Sequence, residues 1–378
     1  MKSPVSAVRV LVKAALIFAA INLLYALVNP PIGKLNAYNV IWPGRLRFPY
    51  SESPAYYQLS YNSPVIEDFD AMFGSHIISA APKEADEFRV ILLGDSATWG
   101  GHVGPNDMLA AQLNRLDLTT CGGKKVRVFD LGYPWPSLLR DILVLDWAQQ
   151  YDPDLIIWPV TLHSFEKKPM DRDFLVPHAD RMEALVKAYN IKLPRVYAEI
   201  PETSLWDKTI VGQRKHIKNV LLNQVFGPMW AATGVDNSQD LGVNHPLFPQ
   251  DLPADISYME YKSDKQAPVL IQSLMFDVMR AGHDIAGDTP MIVINEPIFI
   301  ITGQNSDLRY NELYPRWAYD AYRAALTDWI ARKGYTFYDY WNALPVEEFG
   351  NEVFHRDPNG ELRFAKLIAP HILEASCP

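Results

Sequence analysis

The feature that most constrains the fold is a short apolar run that ends in small polar residues, within residues 88–101. Five of the six residues in 88–93 are apolar, which is typical of a strand buried on both faces of a parallel sheet. Gly94-Asp95-Ser96 follows, a triplet that tolerates tight turns, and a helical pattern begins near Asn106. Strand, turn and helix place Ser96 at the carboxyl edge of an open α/β sheet. Alone, the triplet is equally consistent with a simple chain reversal.

The same alternation of strand and helix continues along the chain. Predicted strands occupy 124–132, 155–160, 290–295 and 335–340, and predicted helices occupy 137–150, 314–333 and 360–374. Ser137 is placed to cap the first of these helices. Strands that alternate with helices through short joins predict an α/β fold with a doubly wound parallel sheet.

The predicted elements divide the chain into four parts. Residues 1–31 form a cytoplasmic tip and membrane anchor, and 32–87 an irregular arm rich in proline and aromatic residues. The main domain comprises 88–160 and 289–378. Residues 161–288 interrupt it with amphipathic segments at 181–189, 213–225 and 271–280. We interpret this insertion as a lid or substrate cap, with a purely architectural cap as the alternative.

An apolar segment near the N-terminus predicts membrane anchoring. Residues 10–28 are apolar except for Lys13 and Asn22, and this length suffices to cross a bilayer. Lys2, Arg9 and Lys13 precede or enter the segment, which predicts a cytoplasmic N-terminus and an extracytoplasmic main domain. A cleaved signal peptide is the alternative, but no small-x-small cleavage site follows the segment.

Charge and cysteine content exclude some classes of function. The net charge is −9 and no cluster of Lys and Arg stands out, so we expect no nucleic-acid partner. The two cysteines, Cys121 and Cys377, lack the spacing of a metal site, and we expect neither metal nor cofactor. Whether they pair is left open by the sequence.

Several tryptophans fall in loop-like stretches. These are Trp42, Trp135, Trp206 and Trp230. Tryptophans in such places pack under long loops or, alternatively, stack on sugar rings. The sequence favours packing over sugar binding without excluding the latter.

The loop before the last predicted helix supplies a candidate partner for Ser96. It contains Glu352 and His355, followed by the turn signal Asp357-Pro-Asn-Gly360. A serine hydroxyl needs a base to become a nucleophile, and a neutral imidazole suits that task. A carboxylate then orients the imidazole, and Glu352 is placed to do so from the same loop. The alternative is a solvated histidine beside an ordinary turn.

Together these motifs resemble those of the GDSL/SGNH hydrolase family. Gly94-Asp95-Ser96 after an early strand, and His355 with Gly360 before a final helix, match the family pattern. The resemblance implies a flavodoxin-like three-layer fold, with Ser96 as nucleophile and His355 as base. It also implies an oxyanion hole built from the backbone N–H groups of Ser96 and Gly132. It covers 88–160 and 290–373.

Two departures from the family pattern concern the acid and the oxyanion hole. The family's acid is normally Asp, and here Glu352 occupies that position beside Asn351. The family's oxyanion asparagine follows the third strand, where this chain has Thr161, which is a weaker candidate donor. Losing one oxyanion donor typically lowers the rate about 10²–10³-fold.

Three further polar residues lie at predicted strand exits. Asn295 and Glu296 follow the fourth strand, and Asp95 precedes Ser96. We predict that these residues contact substrate, and that Asn295 is a candidate for the missing oxyanion donor. The alternative is that Asn295-Glu296-Pro297 forms an ordinary strand exit.

These observations favour a membrane-anchored serine esterase or O-acyltransferase. By analogy with anchored members of the family, the expected substrate is an acyl ester, above all an acetyl ester, of cell-envelope carbohydrate or a small ester, and a membrane acyl-donor protein is a possible partner. The reaction would pass through an acyl-Ser96 intermediate. A catalytically degenerate domain that binds glycan or scaffolds an envelope assembly is the alternative, and a purely structural subunit is a third.

Overall fold

Five parallel strands form one sheet at the centre of the protein. The computed structural model describes residues 6–35, 45–48, 68–80, 82–168, 174–193, 203–233, 250–350 and 353–377. The strands are β1 (Glu87–Leu92), β2 (Lys125–Asp130), β3 (Leu155–Val160), β4 (Met291–Asn295) and β5 (Thr336–Asp339). Their order is β2-β1-β3-β4-β5, and every neighbouring pair is parallel. The predicted α/β class with a parallel sheet is confirmed.

The helices of the described residues have the following bounds. They are α1 (Ala7–Val28), α2 (Phe69–Gly74), α3 (Ser96–Trp99), α4 (Leu109–Arg115), α5 (Leu138–Ala148), α6 (Ala179–Tyr189), α7 (Arg214–Thr233), α8 (Ala267–Ser273), α9 (Phe276–Ala286), α10 (Arg316–Lys333) and α11 (Pro358–Ala375). Short 3-10 turns occupy Ile32–Leu35, Ile77–Ser79, Gln149–Tyr151, Leu162–Phe165, Asp264–Gln266 and Val346–Glu348. Ser137 caps α5 as predicted, with its hydroxyl accepting from the backbone N–H of Arg140 at 3.3 Å.

Both faces of the sheet are covered, which explains the continuous apolar run of β1. Successive residues of a strand point to opposite faces. Accordingly Val90 and Leu92 join one apolar cluster, while Ile91 and Leu93 join the other. Helices α4 and α11 pack together in the first layer, and α5 and α9 pack together in the second. The result is a three-layer α/β/α arrangement.

The range 161–288 is not wholly a cap. A single amphipathic segment was predicted at 271–280, but the chain forms two helices there, because Leu274 adopts an extended conformation between α8 and α9. Helix α9 leads into β4 and packs on α5, so it belongs to the layer that covers the sheet. This part of the range is therefore the crossover between β3 and β4.

Helix α1 is, among the described residues, the one helix long and apolar enough to cross a membrane. Most of its side chains are exposed, and only Asn22 and Ala26 are buried. Exposed apolar side chains along a helix of this length are consistent with a segment that lies in a membrane. The predicted segment 10–28 lies within this helix.

A disulfide joins the two cysteines that the sequence left unassigned. Cys121 lies in the loop before β2 and Cys377 just after α11, with their Cα atoms 5.4 Å apart. The bond joins residues that are 256 positions apart in the sequence. It therefore ties the last helix to the edge of the sheet.

We expect loss of this bond to destabilise the domain. The double variant Cys121→Ser/Cys377→Ser should lower the free energy of unfolding by about 2–4 kcal/mol, because the unfolded chain regains the entropy of an open loop. Urea denaturation of the full chain in detergent measures the change, and the reduced wild-type protein is the matched control. Equal stability of oxidised and reduced wild type would contradict the prediction.

Candidate active site

Ser96 stands where the strand order of the sheet reverses. Strand β2 lies on one side of β1 and β3 on the other, and a crevice forms outside the carboxyl ends at such a switch point. Gly94 turns the chain there with a φ of +129°, and an added Cβ would lie 2.4 Å from Thr98 Oγ1. Asp95 caps α3, its Oδ1 accepting from Ala97 N–H at 2.8 Å. Between residues 90 and 100, all of which are described, Ser96 alone is half-buried.

His355 meets Ser96 across 259 residues of sequence. Its Nε2 lies 2.8 Å from Ser96 Oγ, within hydrogen-bond distance. His355 belongs to the loop that leads into α11, and its ring is buried. The structure thus brings together the predicted nucleophile and the predicted base.

The surroundings of His355 favour its neutral form. Burial lowers the pKa of His355 well below its ordinary value of 6.5, and positive charge on His102 and Arg356 lowers it further. The ring of His102 lies 5.0 Å from that of His355. A neutral imidazole with its proton on Nδ1 accepts a hydrogen bond from the Ser96 hydroxyl through Nε2.

A loop held by the arm sets the space around His355. An added Cβ on Gly101 would lie 2.9 Å from two atoms of the His355 ring, so only glycine fits there. Arg47 fixes this loop from the arm, its Nη1 donating to the carbonyl oxygens of Gly100 at 2.9 Å and Val103 at 3.2 Å. Its guanidinium also lies 3.8 Å from the ring centroid of Trp99. No sequence pattern indicates this contact, because Arg47 lies in a stretch without periodicity.

A buried cluster around Arg356 joins the serine turn to β4 and α11. Arg356 donates to Glu296 Oε2 at 3.0 Å and to the carbonyl oxygen of Ala97 at 2.9 Å. Its Nε lies 3.2 Å from Glu361 Oε1. Burial raises the pKa of Glu296 to about 8, with the charge of Asp95 acting in the same direction, and burial raises the pKa of Glu361 to about 7. A protonated Glu296 thereby reduces the excess negative charge around one guanidinium.

The predicted substrate contacts are structural instead. Asp95, Asn295 and Glu296 are all buried. The amide Nδ2 of Asn295 donates to Asp339 Oδ1 at 2.8 Å, and its Oδ1 accepts from two tyrosines of α10 at 3.3 Å. Asn295 is therefore committed to the junction of β4, β5 and α10 and does not supply the missing oxyanion donor.

The predicted oxyanion donors differ in their availability. The N–H of Gly132 donates to Asp130 Oδ1 at 2.8 Å, so it is engaged inside the loop, and its part in an oxyanion hole stays a prediction. The N–H of Ser96 lies at the first position of α3, where no preceding turn accepts it. Thr161 follows β3, the neighbour of β1, and its buried hydroxyl accepts from Tyr314 O–H at 3.2 Å. That hydroxyl retains a proton to donate.

The predicted acid is not placed. Glu352 and the adjacent Asn351 lie outside the described residues. The orientation of His355 by Glu352 therefore stays a prediction.

An exposed tryptophan stands on the loop that follows β2. Trp135 has a φ of +75°, which is unusual for a bulky residue, and its side chain is 53% exposed. The buried Arg140 holds this loop by donating to the carbonyl oxygens of Tyr133 and Pro134 and, through Nη2, to Gly94 O at 2.7 Å. The same guanidinium thus links the Trp135 loop to the turn before Ser96. This loop therefore holds the exposed indole at the carboxyl ends of the strands, where Ser96 also lies.

Comparisons with known proteins add little to this geometry. No family model matches the sequence, and no curated protein matches it. A carbohydrate acetylesterase family member from Sinorhizobium meliloti is 11% identical, with a TM-score of 0.33 and coverage of 76% of this chain and 98% of that chain. A gut microbial diltiazem-metabolizing enzyme is 14% identical, with a TM-score of 0.33. The match covers 78% of this chain and 49% of that chain. At such low TM-scores, interpretation of the site rests on the contacts given above.

We expect His355 to stay neutral at pH values where an ordinary histidine is half-protonated. A pH titration followed by NMR of the imidazole should give a midpoint well below 6.5, because the ring is buried among positive charges. His355→Gln identifies the signal. His102→Gln should raise the midpoint while leaving it below 6.5, since burial remains. Below about pH 6.5 the unfolded chain binds the extra proton, so acid should lower the free energy of unfolding. A wild-type midpoint at or above 6.5 would contradict this.

Proposed function

We propose that the chain is a membrane-anchored serine esterase or O-acyltransferase. The observation that carries the proposal is the 2.8 Å contact between Ser96 Oγ and His355 Nε2 at the switch point of a parallel sheet. A serine and a neutral histidine in this geometry are the nucleophile and base of acyl transfer. As in the sequence resemblance, we assign the site to the SGNH type of hydrolase.

The proposed reaction has two steps. Ser96 Oγ attacks the ester carbonyl carbon while His355 Nε2 takes its proton, and the leaving alcohol then receives that proton from His355 as the C–O bond breaks. The acyl-Ser96 ester is next attacked by water or by an acceptor hydroxyl, whose proton passes through His355 back to Ser96. Glu352 is proposed to orient His355 throughout.

The proposed oxyanion hole uses the N–H of Ser96 and the hydroxyl of Thr161. Donors of this kind stabilise the charge that develops on the carbonyl oxygen in a tetrahedral intermediate. Because Gly132 N–H is engaged with Asp130, the hole contains fewer backbone donors than the resemblance implies. We therefore expect ester hydrolysis to be slower than in an enzyme with the full set of donors. Alternatively, the protein is a transferase in which the bound acceptor completes the site.

The compartment proposed for the domain is extracytoplasmic. A single apolar N-terminal helix with positive residues on its leading side supports this orientation. The Cys121–Cys377 disulfide supports it independently, because such bonds persist in oxidising compartments.

Replacing the nucleophile tests the proposed activity directly. The full chain in detergent should hydrolyse an aryl acetate or release a burst of the phenol, and Ser96→Ala should reduce this by about 10³-fold or more. Ser263→Ala, which alters the half-buried serine that precedes the 3-10 turn Asp264–Gln266, is the matched control and should retain activity. If folded wild type and Ser96→Ala are equally inert, the site does not turn over esters. The glycan-binding alternative would then be favoured.

The proposed substrate is an acylated carbohydrate, and Trp135 is its proposed contact. An exposed indole on a rigid loop offers a flat apolar face to a sugar ring. Trp135→Ala should raise KM for an acetylated oligosaccharide about tenfold, the equivalent of 1.4 kcal/mol, and leave kcat/KM for a small aryl acetate nearly unchanged. Val269→Ala, which alters an exposed apolar residue of α8, is the matched control. Equal losses on both substrates would point to a structural role for Trp135.

A further inference from the structure

The insertion touches α1 at the end where the chain leaves the apolar helix. Asn22 Oδ1 accepts from the backbone N–H of Val211 at 3.2 Å, and Tyr25 O–H donates to Gln213 Oε1 at 3.1 Å. Asn22 and Tyr25 belong to the last two turns of α1. Residues 211–213 therefore lie beside the end of the candidate membrane span, and the polar Asn22 of that span is explained by this contact.

An exposed apolar turn comes immediately before this contact. Leu205 and Trp206 are 55% and 62% exposed. Thr209 O–H donates to the carbonyl oxygen of Trp206 at 2.7 Å, and Thr209 Oγ1 accepts from Gly212 N–H at 3.0 Å. The turn is thus fixed relative to the end of α1. Tryptophan is enriched at this level of membrane proteins, where the ring meets the headgroups.

Helix α7 begins directly after the contact with α1, and its first turns are basic. Arg214, Lys215 and Lys218 are all exposed. Basic residues beside a membrane are attracted by anionic lipid headgroups, each by an interaction of about 1 kcal/mol. The charge of this end of α7 therefore complements an anionic lipid surface.

The outward face of α7 beyond these basic residues is apolar. Leu221, Val225 and Met229 are each between 58% and 63% exposed. Their spacing of four places them on one face of the helix over about 12 Å. Val220 is buried and Phe226 packs against the core, so the helix turns one face to the domain and this apolar stripe outward.

We propose that the turn at 205–206 and helix α7 form a second membrane-contacting surface, which lies in the headgroup region of an anionic bilayer beside the end of α1. The surface is continuous with α1 through Val211 and Gln213, and its exposed basic and apolar side chains suit the boundary between lipid headgroups and acyl chains. The inference rests on the proposed anchoring of α1. It gives part of the insertion a role in fixing the domain against the membrane.

Quenching by spin-labelled lipids in nanodiscs tests this surface on the full chain. The native cysteines are joined, so a cysteine introduced at Val225 can be labelled alone with a fluorophore. Discs that contain phosphatidylglycerol and lipids with a shallow nitroxide should quench a Val225→Cys label about twofold. Val269→Cys in α8, which is 55% exposed, is the matched control and should be unaffected. Leu16→Cys in α1, read in matched discs whose lipids carry the nitroxide deep in the acyl chain, reports on the anchor.

The outcomes separate this surface from the anchor itself. Quenching at Leu16 and Val225 but not at Val269 supports the surface. Charge is tested by Arg214→Gln/Lys215→Gln/Lys218→Gln, which should weaken quenching at Val225 in anionic discs. Quenching at Leu16 alone overturns the proposed surface and leaves the anchor intact, whereas no quenching at either position overturns both. A Val225 label shielded from aqueous iodide but not quenched by lipid would mean that a protein covers the stripe, which also overturns the proposal.

Discussion

The buried guanidinium of Arg356 is the interaction on which the arrangement of this site depends. It binds Glu296 after β4, Glu361 in α11 and the carbonyl oxygen of Ala97 in α3, so three parts of the chain meet at one charge. Burying charged groups is costly, and removing one partner of such a cluster leaves the others unpaired. The raised pKa values of both glutamates reduce that cost, because neutral carboxyls need less solvation. These contacts hold Arg356, the residue next to His355, in place beside the serine turn.

Arg47, in the stretch predicted to be an irregular arm, also contributes to the site. Arg47 holds the loop that carries Gly101 and His102, and this loop forms one wall around His355. Burial lowers the pKa of Arg47 to about 10, so it remains charged at neutral pH and keeps its hydrogen bonds to backbone carbonyls. Arg47 is thus packed against the loop beside the candidate site.

The candidate site and the proposed membrane-contacting surface are formed by different connections of the same sheet. The loops after β1, β2 and β3 build the candidate site at the carboxyl edge, where Ser96, Trp135 and Thr161 stand. The long connection from β3 to β4 instead reaches the end of α1 through Val211 and Gln213 before it returns as the covering helix α9. A rigid sheet allows this division, because its loops vary without disturbing the core.

Local pattern predicted the strands and the apolar N-terminal helix, because apolar periodicity and turn residues are read from neighbouring positions, and the family resemblance singled out Ser96 and His355. Sequence reasoning failed where a side chain's role depends on a partner far along the chain. Asn295 looked available for substrate, yet Asp339 and two tyrosines engage it, and Gly132 N–H turned to Asp130. Arg47 and Arg356 gave no signal in sequence. Only the tertiary structure decided their roles, because the interactions of a buried charge depend on the groups that surround it.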